Sequence, residues 1–226
     1  MGPEATVDLM RRVIRLTPAL DDADHIRCIV DNNPKIPSRI KAIIEGTGES
    51  PGPCMAEMAA GLESAGADFL AIACNTAHHY YDEIKKNVSI PVIHIVMETL
   101  TSIQKKNPGL TAVGLLASPA IRITRLYELI FHPAGIRIIY PDDTSQNKLF
   151  NIIKAVKAGD TTEEMKDQFK LVCENLRDDG AQLAVTACTE LSALNTHTGI
   201  ETVDAAEVLA QAIVDTALSR TFHDNP

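Results

Sequence analysis

Nowhere in this chain does an uninterrupted apolar run reach the roughly 20 residues that a membrane-spanning helix requires. The opening residues, Met1-Gly2-Pro3-Glu4, show no basic segment followed by an apolar one. No secretory leader is therefore expected, and the expected location is cytoplasmic. Basic residues are outnumbered by acidic ones, 21 to 30, giving a net charge of −9. That balance leaves no basic surplus for a nucleic-acid backbone. Cysteine is sparse and odd in number: Cys28, Cys54, Cys74, Cys173 and Cys188 contain no C-x-x-C pair. A disulfide framework is excluded as the organising feature, and any cysteine that matters is expected to matter as a thiol. Around Cys74, His78 and His79 no third and fourth ligand stands at finger-like spacing, so no metal is expected.

The composition that remains, 45% hydrophobic and 23% charged over 226 residues, is that of an ordinary globular protein. A chain of this size buries a sizeable core without staples. Its acidic balance does not exclude an acidic small molecule, because one arginine and one lysine in a pocket hold carboxylates whatever the global charge.

Short runs rich in Val and Ile alternate with stretches of helical period. Strands are expected at residues 25–30 (HIRCIV), 68–73 (DFLAIA), 91–96 (PVIHIV), 111–116 (TAVGLL), 136–140 (IRIIY) and 182–186 (QLAVT). Runs this apolar suit strands buried on both faces, as in a parallel sheet. Helices are expected at 54–65, 97–106, 119–131, 146–158, 162–177 and 204–218. Pro3 and Pro119 suit first-turn positions, and Gly66, Gly135 and Gly180 suit stops. The alternation predicts an α/β class with mostly parallel sheets. Asn107-Pro108-Gly109 breaks the middle of the chain. One domain is expected over 1–106, joined by the C-terminal helix 204–226, and a second over 107–203.

The chemistry lies in two similar motifs, Ala73-Cys74-Asn75-Thr76 and Ala187-Cys188-Thr189-Glu190, one in each half and each directly after a buried strand. In open α/β sheets ligands bind outside the carboxyl ends of strands, so both thiols fall where a site is expected. Backbone N–H groups there hold carboxylates and lower a thiol's pKa. Two halves facing each other would set one thiol on each side of a bound molecule. That arrangement suits inversion of an α-carbon, in which one group removes a proton and another returns one to the opposite face.

The bland readings differ from residue to residue. Cys28, alternating with Ile26 and Val30, reads as core, as does Cys173 at helical spacing with Phe169 and Leu176. Arg39 and Lys157 by themselves read as solvated charges. Glu190 either orients the thiol or caps the following turn. His78 reads as support for its own motif, and His94 as a satisfied core histidine.

The ordered set of motifs resembles the aspartate/glutamate racemase superfamily over nearly the whole length. It comprises Met1-Gly2-Pro3-Glu4-Ala5-Thr6, Asn33-Pro34-Lys35-Ile36-Pro37-Ser38-Arg39, Cys74-Asn75-Thr76-Ala77-His78 and Cys188-Thr189-Glu190-Leu191. Glu190, where glutamate racemases have histidine, makes the chain more similar to the aspartate branch. The resemblance implies two Rossmann-like, three-layer α/β domains with the active site between them, a homodimer, and catalysis without pyridoxal phosphate, metal or other cofactor. It implies Cys74 and Cys188 as the proton-transferring pair. Arg39 and Lys157 match carboxylate ligands, and Asn75, Thr76 and Thr189 match ligands of the α-carboxylate and α-amino groups. Met1 and Ser118 match positions lining the pocket, with Glu190 in support. The implied substrate is a small acidic amino acid, aspartate first and glutamate second.

Three features depart from the pattern. Ala187 stands where glycine is usual, Ser118 and Ile121 stand where threonines are common, and a strand expected ahead of Met1, central in the first sheet, is not in this sequence. They keep two alternatives open: a racemase of other or broad amino-acid specificity, and a non-catalytic amino-acid-binding relative.

Overall fold

A computed structural model describes residues 2–221, with side chains through residue 219. Ten α-helices and six strands follow in order within it: α1 Pro3–Leu16, α2 Gly52–Ser64, β1 Leu70–Ala71, α3 Tyr81–Lys85, β2 Val92–Ile93, α4 Ile95–Lys106, β3 Ala112–Leu116, α5 Pro119–Thr124, α6 Glu128–Phe131, β4 Arg137–Ile139, α7 Asp143–Lys157, α8 Glu163–Asp178, β5 Leu183–Thr186, α9 Thr189–Ser192, β6 Thr202–Asp204 and α10 Ala205–Thr221. Every strand pair is parallel. The fold is α/β, as the alternation predicts. Two compact units result, Met1–Glu98 with Ala206–Pro226, and Thr99–Ala205. Among the described residues no helix is long and apolar enough to cross a membrane.

The second unit is built on the sheet β4-β3-β5-β6. All five residues of β3 and all four of β5 are buried, which is why their sequences read as continuous apolar runs rather than as alternation. One face packs on α7 and α8: Ala112, Leu116 and Ala184 meet Leu149, Ile152, Ile153, Phe169, Val172, Cys173 and Leu176. Val113 and Leu115, alternating to the opposite face, are equally buried. Gly114 of β3 lies so close to α8 that a Cβ there would come within 3.1 Å of the Leu176 side chain. Gln182 accepts hydrogen bonds from the N–H groups of Thr111 and Ala112 and so ties the start of β3 to that of β5.

In the first unit β1 pairs with β2, Leu70 with Val92 and Ala71 with Ile93. α2, α3 and these strands share a core of Ile36, Met55, Ala59, Leu70, Ile72, Ala77, Ile84 and Val92. α1 is tied to α10 by Arg12 and Arg15, both on Glu207 at 2.9 and 2.5 Å.

Three expectations need correcting. Residues 25–30 form no strand among the described residues. A ladder needs a neighbour about 4.8 Å away, yet Ile26–Ile29 and Gly66–Ala71 flank a cavity of about 210 Å³ instead of pairing with each other. Cys28, expected in a core, is exposed for the same reason. The helix expected over 119–131 is two helices, because Arg125 adopts a left-handed backbone with φ 53° and ends the first of them. β6 was not anticipated: three residues, Thr202-Val203-Asp204, are too short a run to register a period, and the ladder with β5 defines them.

Candidate active site

Each unit carries one of the cysteine motifs, and each is built in its own way. In the first unit the chain leaves β1 through Ile72 and Ala73. The Cys74 N–H then turns back onto the Ile72 carbonyl at 2.7 Å, a three-residue turn. Cys74 is half-buried against the core of this unit. Asn75 is buried, and a 3-10 turn over Thr76–Tyr80 follows it. Within that turn His78 is 2% exposed. Its Nδ1 lies 2.9 Å from the Cys74 carbonyl, and its Nε2 accepts the Ile95 N–H at 3.2 Å.

A backbone N–H only donates and a carbonyl only accepts. The ring is therefore neutral, with its hydrogen on Nδ1. Burial, with the neighbouring His94 adding to it, holds the His78 pKa down at about 4 and keeps it so. The ring packs against Tyr81 and His94 at centroid distances of 6.3 and 5.0 Å, these two being 4.5 Å from each other, and the Tyr81 hydroxyl donates to the Val92 carbonyl at 2.9 Å.

Arg39 belongs to the same unit. It opens a π-helical turn, Ile40–Glu45, closed by Gly46 in the left-handed region at φ 65°. The Arg39 side chain is half-buried, and its Nε is buried without a hydrogen-bond partner. Its charge is felt at Tyr80, at the end of the Cys74 turn: burial raises the Tyr80 pKa and Arg39 opposes the rise.

The second unit presents Cys188 one residue beyond Ala187, whose N–H extends the β5 ladder by donating to the Leu116 carbonyl at 2.9 Å. Cys188 then opens α9 from an extended backbone, φ −143° and ψ 119°. Its Sγ donates to Glu190 Oε2 at 2.9 Å. Lys157, at the end of α7, pairs with Glu190 Oε1 at 3.3 Å. The Glu190 side chain is 20% exposed and that of Lys157 50%. Burial pushes the Glu190 pKa up, but the Cys188 hydrogen bond and the Lys157 charge together outweigh it, so the carboxyl sits below its ordinary value. Thr189 Oγ1 adds a long contact of 3.4 Å to the same oxygen. Ser118 stands at the start of α5, after β3, half-buried. Ile121 is fully buried.

Of the expected site residues, Cys74, Asn75 and Thr76 are consecutive in the first unit, which also holds Arg39, its charge reaching Tyr80 at the end of the same turn. Lys157, Cys188, Thr189 and Glu190 meet in the second, where Ser118 stands two residues beyond the end of β3, the strand beside β5. Met1 lies outside the described residues. Among those residues no group of three or more His, Cys, Asp or Glu side chains stands where it could hold a metal. Gln146 escaped notice in the sequence. It is buried on α7 and donates to the Ala117 carbonyl at 3.1 Å, holding the loop that leads into Ser118. A glutamine at a core-facing position of an amphipathic helix is the signal that could have found it.

Residues 1–213 match the model of the Asp/Glu/Hydantoin racemase family. The chain belongs to that family. This racemase is 30% identical to a Bacillus subtilis (strain 168) protein, the broad specificity amino-acid racemase RacX, over 97% of this chain and 96% of that one. It is similar to the Picrophilus torridus aspartate racemase structure at 29% identity and a TM-score of 0.83, covering 96% of this chain and 90% of the other. At 17% identity the glutamate racemase isoform RacE1 from Bacillus anthracis shares the fold, with a TM-score of 0.69 over 96% of this chain and 79% of that one. The protein is thus an isomerase of a racemase family that works without pyridoxal phosphate.

Proposed function

We propose that this racemase inverts the α-carbon of an acidic amino acid, aspartate first and glutamate second, with Cys74 and Cys188 as its two proton-transferring groups. The observation that carries the reading is the Cys188 thiol donating at 2.9 Å to a carboxylate whose other oxygen holds a lysine. A thiol acts as a base only after its proton has gone elsewhere, and Glu190 is an acceptor within reach.

In the forward direction one cysteine, as thiolate, takes the α-proton. The Cα–H bond breaks, an S–H bond forms, and the electron pair spreads into the α-carboxylate. The second cysteine, as thiol, gives its proton to the opposite face; its S–H bond breaks and a Cα–H bond forms. For the other enantiomer the roles exchange. Asn75, Thr76, Ser118 and Thr189 supply donors and acceptors for the α-substituents. Arg39 takes the side-chain carboxylate. A buried donor without a partner costs about 1–3 kcal/mol, so its Nε favours an anion that pairs it.

A second reading, broad amino-acid specificity, has its own support. Lys157, the second cation expected to bind substrate, is already engaged by Glu190, and the chain is 30% identical to a broad specificity racemase. A substrate panel separates the two: a preference for aspartate of at least about tenfold supports the acidic reading, and equal turnover of neutral amino acids overturns it.

The test of the mechanism is α-proton exchange of pure L-aspartate in deuterated water without pyridoxal phosphate, followed by chiral separation, with Cys74→Ser and Cys188→Ser alongside. Deuterated D-aspartate from the native protein, with racemisation reduced at least about a hundredfold in both variants, is the expected result. A native protein that binds aspartate in calorimetry yet exchanges no α-proton is instead a binding protein.

A further inference from the structure

We propose that His78 is the positioning residue for Cys74: its ring ties the carbonyl of Cys74, beyond the end of β1, to the N–H of Ile95, beyond the end of β2. The inference rests on the assignment of Cys74 as a base. β1 and β2 pair over only two residues each, Leu70 with Val92 and Ala71 with Ile93. The ladder therefore stops three residues short of Cys74, and a single three-residue turn separates the strand from the thiol. Beyond that point the two strand ends are joined through His78, at 2.9 Å on one side and 3.2 Å on the other.

The ring cannot easily turn. It is buried against a Tyr81–His94 ring pair whose own centroids are 4.5 Å apart, and Tyr81 is itself held to the Val92 carbonyl of β2. A side chain with five rigid ring atoms and two polar nitrogens spans this gap with both bonds made. An apolar side chain of equal size spans it with neither. Ile95 is also the first residue of α4, where N–H groups have no intrahelical acceptor. The same ring thus serves a helix start and a candidate catalytic loop together.

Two conservative variants separate the two bonds. In His78→Asn the amide nitrogen takes the place of Nδ1 and keeps the bond to the Cys74 carbonyl, while Ile95 is out of reach. In His78→Gln the amide reaches toward Ile95 and the Cys74 carbonyl loses its donor. The readout is the rate of alkylation by iodoacetamide, resolved by peptide mass spectrometry at Cys74 and at Cys188 in the same full-length molecules. Expected is a change of about fivefold at Cys74 in His78→Gln, less than about twofold at Cys188, and near-native reactivity of Cys74 in His78→Asn.

Exchange with each enantiomer of aspartate gives a second readout. In His78→Gln the enantiomer whose α-proton Cys188 removes keeps exchanging without inversion, whereas the other slows in both. An unchanged Cys74 rate, equal changes at the two cysteines, or Asn behaving as Gln overturns the proposal. Native protein that shows no α-exchange at all overturns the racemase reading instead, and the alkylation comparison still decides the role of His78. If His78→Gln does not fold, a folded His78→Asn whose Cys74 reacts at a non-native rate is the outcome that overturns it.

Discussion

Cys188 gives its thiol hydrogen to a carboxylate that a lysine also holds, whereas at Cys74 it is the backbone carbonyl that a neutral imidazole holds. The surrounding units differ in the same sense. Cys188 follows a four-residue strand inside a four-stranded sheet, and Cys74 follows a two-residue strand in a pair. Where the sheet is broad, the ladder itself carries the cysteine to its place and the side chains around it are left to tune charge. Where the sheet is narrow, a side chain must complete the positioning that the ladder does not reach. The same motif, cysteine after a buried strand, is thus supported by electrostatics on one side and by geometry on the other.

The contrast in sheet size predicts the largest effect. Leu183→Ala in β5 removes a fully buried side chain from the broad sheet and is expected to destabilise its unit by about 3–4 kcal/mol. Leu70→Ala in the narrow pair, 7% exposed, is expected to cost less, about 2 kcal/mol. Hydrogen exchange followed separately in peptides of the two units measures both, since one melting curve need not describe a two-unit chain. Equal losses would mean that sheet size does not distinguish the units.

The next effect belongs to the histidine. His78 is depressed from 6.5 to about 4 by burial and by His94, so the unfolded chain binds a proton that the folded one refuses. Its contribution is fully present above about pH 6.5 and is lost as pH falls toward 4. The loss amounts to about 3 kcal/mol. His94, itself lowered chiefly by burial with Asp82 opposing, adds in the same direction. Protection factors of the Cys74–Ile95 peptides, each rate taken relative to the intrinsic amide rate at the same pH, should fall as pH drops across that window and stay flat in His78→Asn. Peptides around Cys188 should follow Glu190 instead. That carboxyl lies below its ordinary value, so its contribution persists into more acid solution before protonation removes it.

This difference bears on what could be read from the residues alone. Five of six apolar runs became strands because burial on both faces leaves a composition that survives without structural context. Residues 25–30 carry the same composition and fail, since a strand exists only with a partner and no run reports whether its neighbour is in place. Cys28 followed that error to the surface. Both cysteine motifs were legible from strand-then-cysteine order, and Glu190 from its place two residues on. The π-turn after Arg39 was not, because an i→i+5 bond has no composition of its own. Nor was the Ile95 bond of His78, which joins positions 17 residues apart through an imidazole. The pairing of Lys157 with Glu190 was equally hidden, as nothing in Lys157-Ala158-Gly159 points to a particular carboxylate.

Charge tuning at Cys188 is broken most directly by Glu190→Gln, which keeps the shape and removes the proton acceptor. Turnover of aspartate is expected to fall about a hundredfold, with alkylation of Cys74 unchanged. A fall of less than about threefold would mean that the carboxylate only caps the turn of α9, the alternative that its sequence position left open.

Lys157→Met is the smallest and the most discriminating change. The lysine is 50% exposed, so its pair with Glu190 adds at most about 0–1 kcal/mol to stability and is screened by salt. Any larger effect must come from the reaction. If Lys157 serves mainly to hold Glu190 ionised, the variant leaves the KM for aspartate within about twofold and lowers kcat, because Glu190 loses its cation in every state of the enzyme. If instead the lysine leaves Glu190 to take the substrate carboxylate, KM for aspartate rises about tenfold while that for a neutral amino acid does not. The two results assign the same ion pair to the support of the thiol or to the choice of substrate, and only the second makes Lys157 a partner of Arg39.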